Sequence, residues 1–198
     1  MQRPLTLAIA WIALIAALPV MLLIAVLTLI ELGRPICFRQ RRAGRDGLDF
    51  ELVKFRTMKN TKDASGQLLP DDQRVGRIGR FLRRTRLDEL PEFINIIRGE
   101  MALVGPRPLL PETVSSFGAL GKLRGRVPPG LTGWAQVNGN TLLSGEEKLH
   151  LDLWYVENRT LLMDLSILCR TSLVVLGGEK RNSHNLEKAI ASCSNRRG

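Results

Sequence analysis

Cysteine, histidine and aromatic side chains are all scarce in this chain of 198 residues. The three cysteines, Cys37, Cys169 and Cys193, are odd in number and scattered without metal-ligand spacing. That argues against a disulfide framework and fits a reducing compartment. The two histidines, His150 and His184, stand alone, and both read as surface or core residues. Aromatics make up 5% of the chain, too few for base stacking along a nucleic-acid strand, so no nucleic-acid partner is expected. No internal repeat is present. Charge is almost missing from the first 32 residues, so the net +10 belongs to the remainder and points to an anionic partner: a phosphorylated metabolite or a membrane surface.

The uncharged stretch is "LTLAIAWIALIAALPVMLLIAVLTLIEL", Leu5 to Leu32, with Glu31 as its one charge. As a straight helix it would reach roughly 42 Å, against a hydrocarbon core of about 30 Å. It is too long, and lacks the small-residue cleavage region, for a signal peptide. Pro19 divides it into halves of about 20 Å each, too short to cross singly. Proline removes a helix hydrogen bond and clashes with the preceding turn. Two readings follow: a tilted, kinked spanning helix, or a helix–break–helix that enters and leaves by the same face. Arg3 flanks one end, and Arg34, Arg39, Arg41, Arg42 and Arg45 the other. The positive-inside bias puts the globular part in the cytoplasm either way.

From Pro35 the pattern is that of a small α/β domain. "ICFRQ" and "DFELVKFRTM" read as short strands around the turn-like "RAGRDG". "KNTKDASGQLLPDDQ" reads as a loop, and "RVGRIGRFLRR" as a helix with Ile78, Phe81 and Leu82 inward. Six arginines between Arg74 and Arg86 crowd its other side, a solvated face able to rest on anionic lipid. "PEFINIIRG" reads as a short helix, "MALVG" as a strand and "SGEEKLHLDLWYVENR" as an amphipathic helix. "TLLMDLSILCRTSLVVLG" reads as a buried or interfacial helix. Residues 179–198 are polar and expected to be disordered.

Asp88 and Glu89, in "RLDELPEF", stand out in an arginine-rich region. With Thr85 as cap, Pro91 would fall inside the helix. With Asp88 as cap it falls in the first turn, where its missing N–H costs nothing. The second register places both acids at a positive helix end, where carboxylates stay ionised and phosphate is welcome. Acids in a first turn are commonplace, and capping alone accounts for them. The neighbouring vocabulary adds weight. "VGPRPLLPE" mounts Arg107 between two prolines, and a guanidinium can grip phosphate in a fork. "VPPGLTGWAQVNG" sets three glycines with Thr132, Gln136 and Asn138, a composition suited to close backbone approach to a ligand.

With these pieces in place, the chain resembles the monotopic phosphoglycosyl transferases, the bacterial sugar transferase family acting on polyprenyl (undecaprenyl) phosphate. The blocks are "KFRTM" (54–58), "LLPDDQRVGRIGRFLRRTRLDELPEFINIIRGEMALVGPRPLL" (68–110), "VPPGLTGWAQVNG" (127–139) and "DLWYVEN" (152–158), in the family's order behind a hydrophobic segment with a central proline. The resemblance implies a mostly helical α+β cytosolic domain (35–178) with short strands, behind a re-entrant membrane helix (1–34), at the cytoplasmic face of a bacterial inner membrane. It implies that Asp88 attacks the β-phosphorus of a UDP-sugar, releasing UMP, and that polyprenyl phosphate then takes the phosphosugar from the carboxylate. An ionised carboxylate is a competent nucleophile where positive charge offsets the repulsion of two anions. Mg²⁺ beside Asp88, assistance from Glu89, phosphate contacts from Lys54, Arg107 and Arg124, and Arg56 and Asn138 lining the site are implied in the same way. The chain departs from the family at Leu18, where serine often precedes the proline, and at Asn140, where an arginine often follows "VNG". The reading from a different class is an inactive, membrane-tethered basic protein that binds anionic lipid or nucleic acid.

Overall fold

The computed structural model describes residues 3–194. Apolar helix formers on both sides of Pro19 carry α1 (Arg3–Leu32) through as one continuous helix. The expected break into two helices is absent: one lost backbone bond does not interrupt a ladder that every neighbouring residue sustains. Residues Thr6–Leu32 have a mean hydropathy of 2.9 and bury only 11% of their most apolar window. By length and composition that is enough to cross a membrane. Only a narrow stripe touches protein. Met21, Ile24 and Ala25 pack with Phe55, Ile78, Leu82, Leu87 and Leu90.

The hairpin forms as the turn composition predicts. β1 (Cys37–Ala43) and β2 (Asp49–Phe55) pair antiparallel, with Cys37 opposite Phe55 and Ala43 opposite Asp49. A short turn, α2 (Asp71–Arg74), leads into α3 (Arg77–Thr85). Gly79 lets α3 lie on the backbone leaving β2: a Cβ there would meet the Thr57 carbonyl oxygen at 2.1 Å. Leu82 is buried and Ile78 packs beside it, but Phe81 is exposed, contrary to the sequence reading. Arg86, left-handed at φ 59°, ends the helix and turns the chain into a 3₁₀ turn, Leu87–Glu89.

α4 (Glu92–Arg98) follows, with Pro91 at its cap position. Asp88 is therefore not the cap. It sits one turn earlier, while Pro91 occupies the helix entry where no N–H is needed. Asn95 on α4 docks this unit against β2, accepting from the Val53 N–H at 3.2 Å and donating to the Glu51 carbonyl at 2.8 Å. β3 (Ala102–Val104) pairs in parallel with β4 (Gly130–Thr132). α5 (Pro111–Ser116) and α6 (Ala119–Arg124) lie between these strands in sequence. A Cβ on Gly130 or Gly133 would strike the backbone of Gly105 at 2.1 Å. These glycines serve strand-to-strand approach rather than a ligand.

α7 (Trp134–Val137), α8 (Gly145–Asn158), α9 (Leu161–Gly177) and α10 (Ser183–Ser194) complete the domain. Ser144 and Glu147 form the reciprocal capping box of α8. The main core joins Phe50 and Leu52 of β2 with Ile96, Leu103, Trp134, Leu151, Tyr155 and Ile167. Tyr155 donates at 2.7 Å to buried Asp164, anchoring α8 to α9. α9 leaves Leu162, Leu173 and Leu176 exposed, so the buried alternative of the sequence reading does not hold.

The expected disordered tail is corrected. α10 buries Leu186, Ala189 and Cys193, and Cys193 packs with Leu149 and Leu153 of α8. The spacing is helical, but alanine and cysteine carry too little hydrophobicity to stand out in a polar segment. Residues 195–198 lie outside the described residues. The α+β class, mostly helical with two small sheets, agrees with the sequence reading.

Candidate functional site

Exit from β2, the turn after α3 and the loop after β3 converge on one cleft of about 1480 Å³. Strand alternation delivers Lys54 to it, the 3₁₀ turn delivers Asp88 and Glu89, and the proline-flanked loop delivers Arg107. Glu89 is the hub. Its Oε1 accepts from Lys54 Nζ at 2.9 Å and from Arg107 Nη2 at 2.6 Å, with Arg86 Nη1 at 3.7 Å. Burial opposes its ionisation, but Arg107 and Lys54 outweigh that and hold its carboxyl down at about 2.

Asp88 differs from its neighbour. It is 9% exposed and lines the cleft, yet the ion pairs here go to Glu89 and Glu92, and among the described residues Asp88 makes none. Burial, then the Glu89 charge, push its carboxyl above the ordinary range, with Lys54 and Arg83 opposing.

Glu92, on the first turn of α4, was not singled out from sequence. It is 2% exposed, 3.0 Å from Lys54 Nζ, and burial lifts it to about 7, with Lys54 opposing and Glu89 adding to the rise. Its spacing of three from Glu89 on a helical segment was the available signal. Lys54 therefore stands between two carboxylates, one whose ionisation the cations favour and one whose ionisation burial opposes.

Behind this cluster, Arg124 is buried against Asp152 at 2.8 Å and donates to the Arg107 carbonyl oxygen at 2.5 Å. It borders the cleft, but its guanidinium is committed to holding the Arg107 loop. Arg56 also borders the cleft, while its guanidinium donates to the carbonyls of Met58, Arg34 and Pro35. It ties the strand exit to the segment that follows α1.

Asn138 requires correction. It is fully buried outside the cleft lining, donating to the Trp134 carbonyl and accepting from Asn185 Nδ2, both at 2.7 Å. Its place is structural. Glu179, from the supposed tail, does reach the cleft. Its carboxylate accepts from Arg86 Nη2 at 2.9 Å, from the Thr141 N–H at 3.0 Å, and from the Asn140 and Thr141 side chains. No local signal could have found it, since Arg86 lies 93 residues away.

A cluster of cations around an acidic pair, with one carboxylate left outside the ion pairs, can bind and attack a phosphorylated ligand. The arrangement defines a phosphate-handling enzyme with a membrane-competent helix docked beside its acidic turn.

A family model described as bacterial sugar transferase matches residues 1–178, and the chain belongs to that family. The uncharacterized sugar transferase EpsL of Bacillus subtilis is 45% identical over 150 residues, covering 76% of this chain and 74% of that protein. The exopolysaccharide production protein ExoY of Sinorhizobium fredii is 36% identical over 187 residues, covering 86% and 83%. The UDP-glucose:undecaprenyl-phosphate glucose-1-phosphate transferase of Escherichia coli is 38% identical over 182 residues. There the match covers 86% of this chain and 39% of that longer protein.

Proposed function

We propose that this protein transfers a sugar 1-phosphate from a UDP-sugar to undecaprenyl phosphate through a covalent aspartyl phosphosugar, at the cytoplasmic face of a bacterial inner membrane. The observation that carries the reading is the contrast within the acidic pair. Glu89 is neutralised by Lys54 and Arg107, while Asp88 faces the same cleft without an ion pair. A nucleophile needs free lone pairs, and an anionic substrate needs cations nearby to lower the repulsion.

In the first displacement an Asp88 carboxylate oxygen forms a bond to the β-phosphorus. The bond from that phosphorus to the bridging oxygen breaks, and UMP leaves with the electron pair. In the second, a phosphate oxygen of the polyprenyl acceptor attacks the same phosphorus, and the Asp88 carboxylate departs unchanged. Lys54 and Arg107 compensate charge on the transferring phosphoryl group. Glu89 keeps both cations aimed there, and Arg124 holds the Arg107 loop.

Among the described residues no cluster of three or more metal-ligating side chains exists. A magnesium ion, which needs only one or two carboxylates when phosphates supply the rest, fits Asp88. Bound there it would neutralise phosphate charge. The continuous α1, with its apolar surface and the cations that follow it, supports anchoring in lipid; its entry and exit on one face are part of this proposal.

Incubating the detergent-solubilised protein with undecaprenyl phosphate and a panel of UDP-sugars tests the reading. UMP release with one donor, abolished by excess EDTA, is expected. No release with any donor would contradict the reaction, and full activity in EDTA would contradict the metal.

A further inference from the structure

The described residues hold a buried polar pair that the chemistry above does not use. Gln136, on α7, is 8% exposed and lines the cleft, yet neither its Nε2 nor its Oε1 has a hydrogen-bond partner. On α8, packed against α7, Asp152 also borders the cleft; its Oδ2 accepts from Arg124 while its buried Oδ1 is unpartnered. Leaving a buried donor and acceptor unpaired is costly, and native structures rarely do so without a ligand or water to complete them.

The sequence around Gln136 holds it in place. Gly133 caps α7 in extended geometry, and a Cβ there would meet Gln136 Oε1 at 2.7 Å. The amide is thus seated over the bare backbone of Gly133, and all four residues of α7 are buried. This is a fixed amide, not a surface side chain.

We infer that Gln136 reads the uracil edge of the donor nucleotide, with Asp152 Oδ1 accepting from a ribose hydroxyl. The inference rests on the UDP-sugar reading above. A glutamine amide offers a donor and an acceptor side by side, so a bidentate partner must present an acceptor and a donor on one edge. In a UDP-sugar the phosphates only accept. Sugar hydroxyls rotate and present no fixed pair, and an acetamido group points its N–H and C=O in opposite directions. Uracil N3–H beside a ring carbonyl is the group that matches, whatever sugar the donor carries. The Asp152–Arg124–Arg107–Glu89 chain of contacts then runs from the nucleoside end of the cleft to the phosphate end.

The test is calorimetric binding of UDP and of N3-methyl-UDP to the full-length protein in detergent, in wild type and in Gln136→Met. N3-methylation removes the imide donor and leaves the ribose and phosphates intact. Wild type is expected to bind UDP at least about tenfold more tightly than the methylated analogue, the scale on which a site rejects a ligand that leaves its polar groups unpaired. Gln136→Met should bind the two within twofold of each other. Its thermal midpoint without ligand should equal or exceed that of wild type, because an apolar isostere removes unpaired buried atoms.

A wild type that binds both nucleotides equally, or a Gln136→Met variant that keeps the discrimination, would overturn the inference while leaving the UDP donor in place. A Gln136→Met protein that unfolds at markedly lower temperature would overturn it too, since the amide would then have structural partners. Failure of wild type to bind UDP at all would remove the donor reading itself, and this inference with it.

Discussion

At the residue scale, two adjacent carboxylates meet different charge because a 3₁₀ turn aims them differently. Glu89 falls between Lys54 and Arg107, and Asp88 borders the same cleft without an ion pair among the described residues. The sequence made both visible, through their setting among arginines, and it was the family resemblance that divided their roles. Glu92 adds a proton to the cluster. Its folded value of about 7 lies above its ordinary 4.5, so the folded protein holds a proton that the unfolded chain has released. That stabilisation is complete below pH 4.5 and is lost as pH rises toward 7. Glu89, held at about 2, acts in a separate and lower window, protecting the fold above its ordinary 4.5 and failing as pH falls below it. Glu92→Gln is accordingly expected to flatten the fall in thermal midpoint between pH 4.5 and 7. Equal slopes in variant and wild type would show that Glu92 titrates normally.

At the scale of elements, the segment joining α9 to α10 straps the cleft. Glu179 ties Arg86 to the 140–141 rim, and Asn182 and Asn185 bond to Asn138. This strap begins where the family match ends, at residue 178, and it meets Asn140. Glu179→Gln should raise the donor KM several-fold with kcat nearly unchanged. Its thermal midpoint should move little, because α10 stays docked through Leu186, Ala189 and Cys193. A loss confined to kcat, or no kinetic change, would place the strap outside substrate binding. The proposed entry and exit on one face require α1 to bend at Pro19, which lies inside the helix. With a single cysteine placed at Gln2, intact cells should protect it from a membrane-impermeant thiol reagent. Pro19→Ala should expose it by favouring a full crossing. Strong labelling of the wild type would mean the helix already crosses.

At the scale of the whole molecule, α1 and the acidic turn share a packing cluster. Ile24 of α1 is buried with Leu87 and Leu90, the residues that bracket the acidic pair, so the turn carrying Asp88 is held against the long apolar helix. The proposed water-soluble sugar nucleotide and lipid phosphate would meet at such a junction. Much of this was legible beforehand. Strand alternation, the "RAGRDG" turn and the glycine that closes "PEFINIIRG" are local signals, and the structure follows them. What failed was long-range or chemically faint. Asn138 has the residue type of a ligand contact but is taken up by Asn185, 47 positions away. The α10 stripe is written in small residues. Arg124 reads as a free cation until Asp152 folds onto it.

The central claim, a phosphosugar carried on Asp88, is tested most directly by intact-protein and peptide mass spectrometry after a rapid acid quench. The protein is mixed with its UDP-sugar donor in the absence of undecaprenyl phosphate. A mass increase of one sugar phosphate, mapped to the peptide containing Asp88 and discharged by adding the lipid acceptor, is predicted. Asp88→Asn should show no adduct and a turnover lower by on the order of 10³-fold or more, as for loss of an enzymic nucleophile. Product formation by Asp88→Asn at near wild-type rate, with no adduct on either protein, would contradict the account.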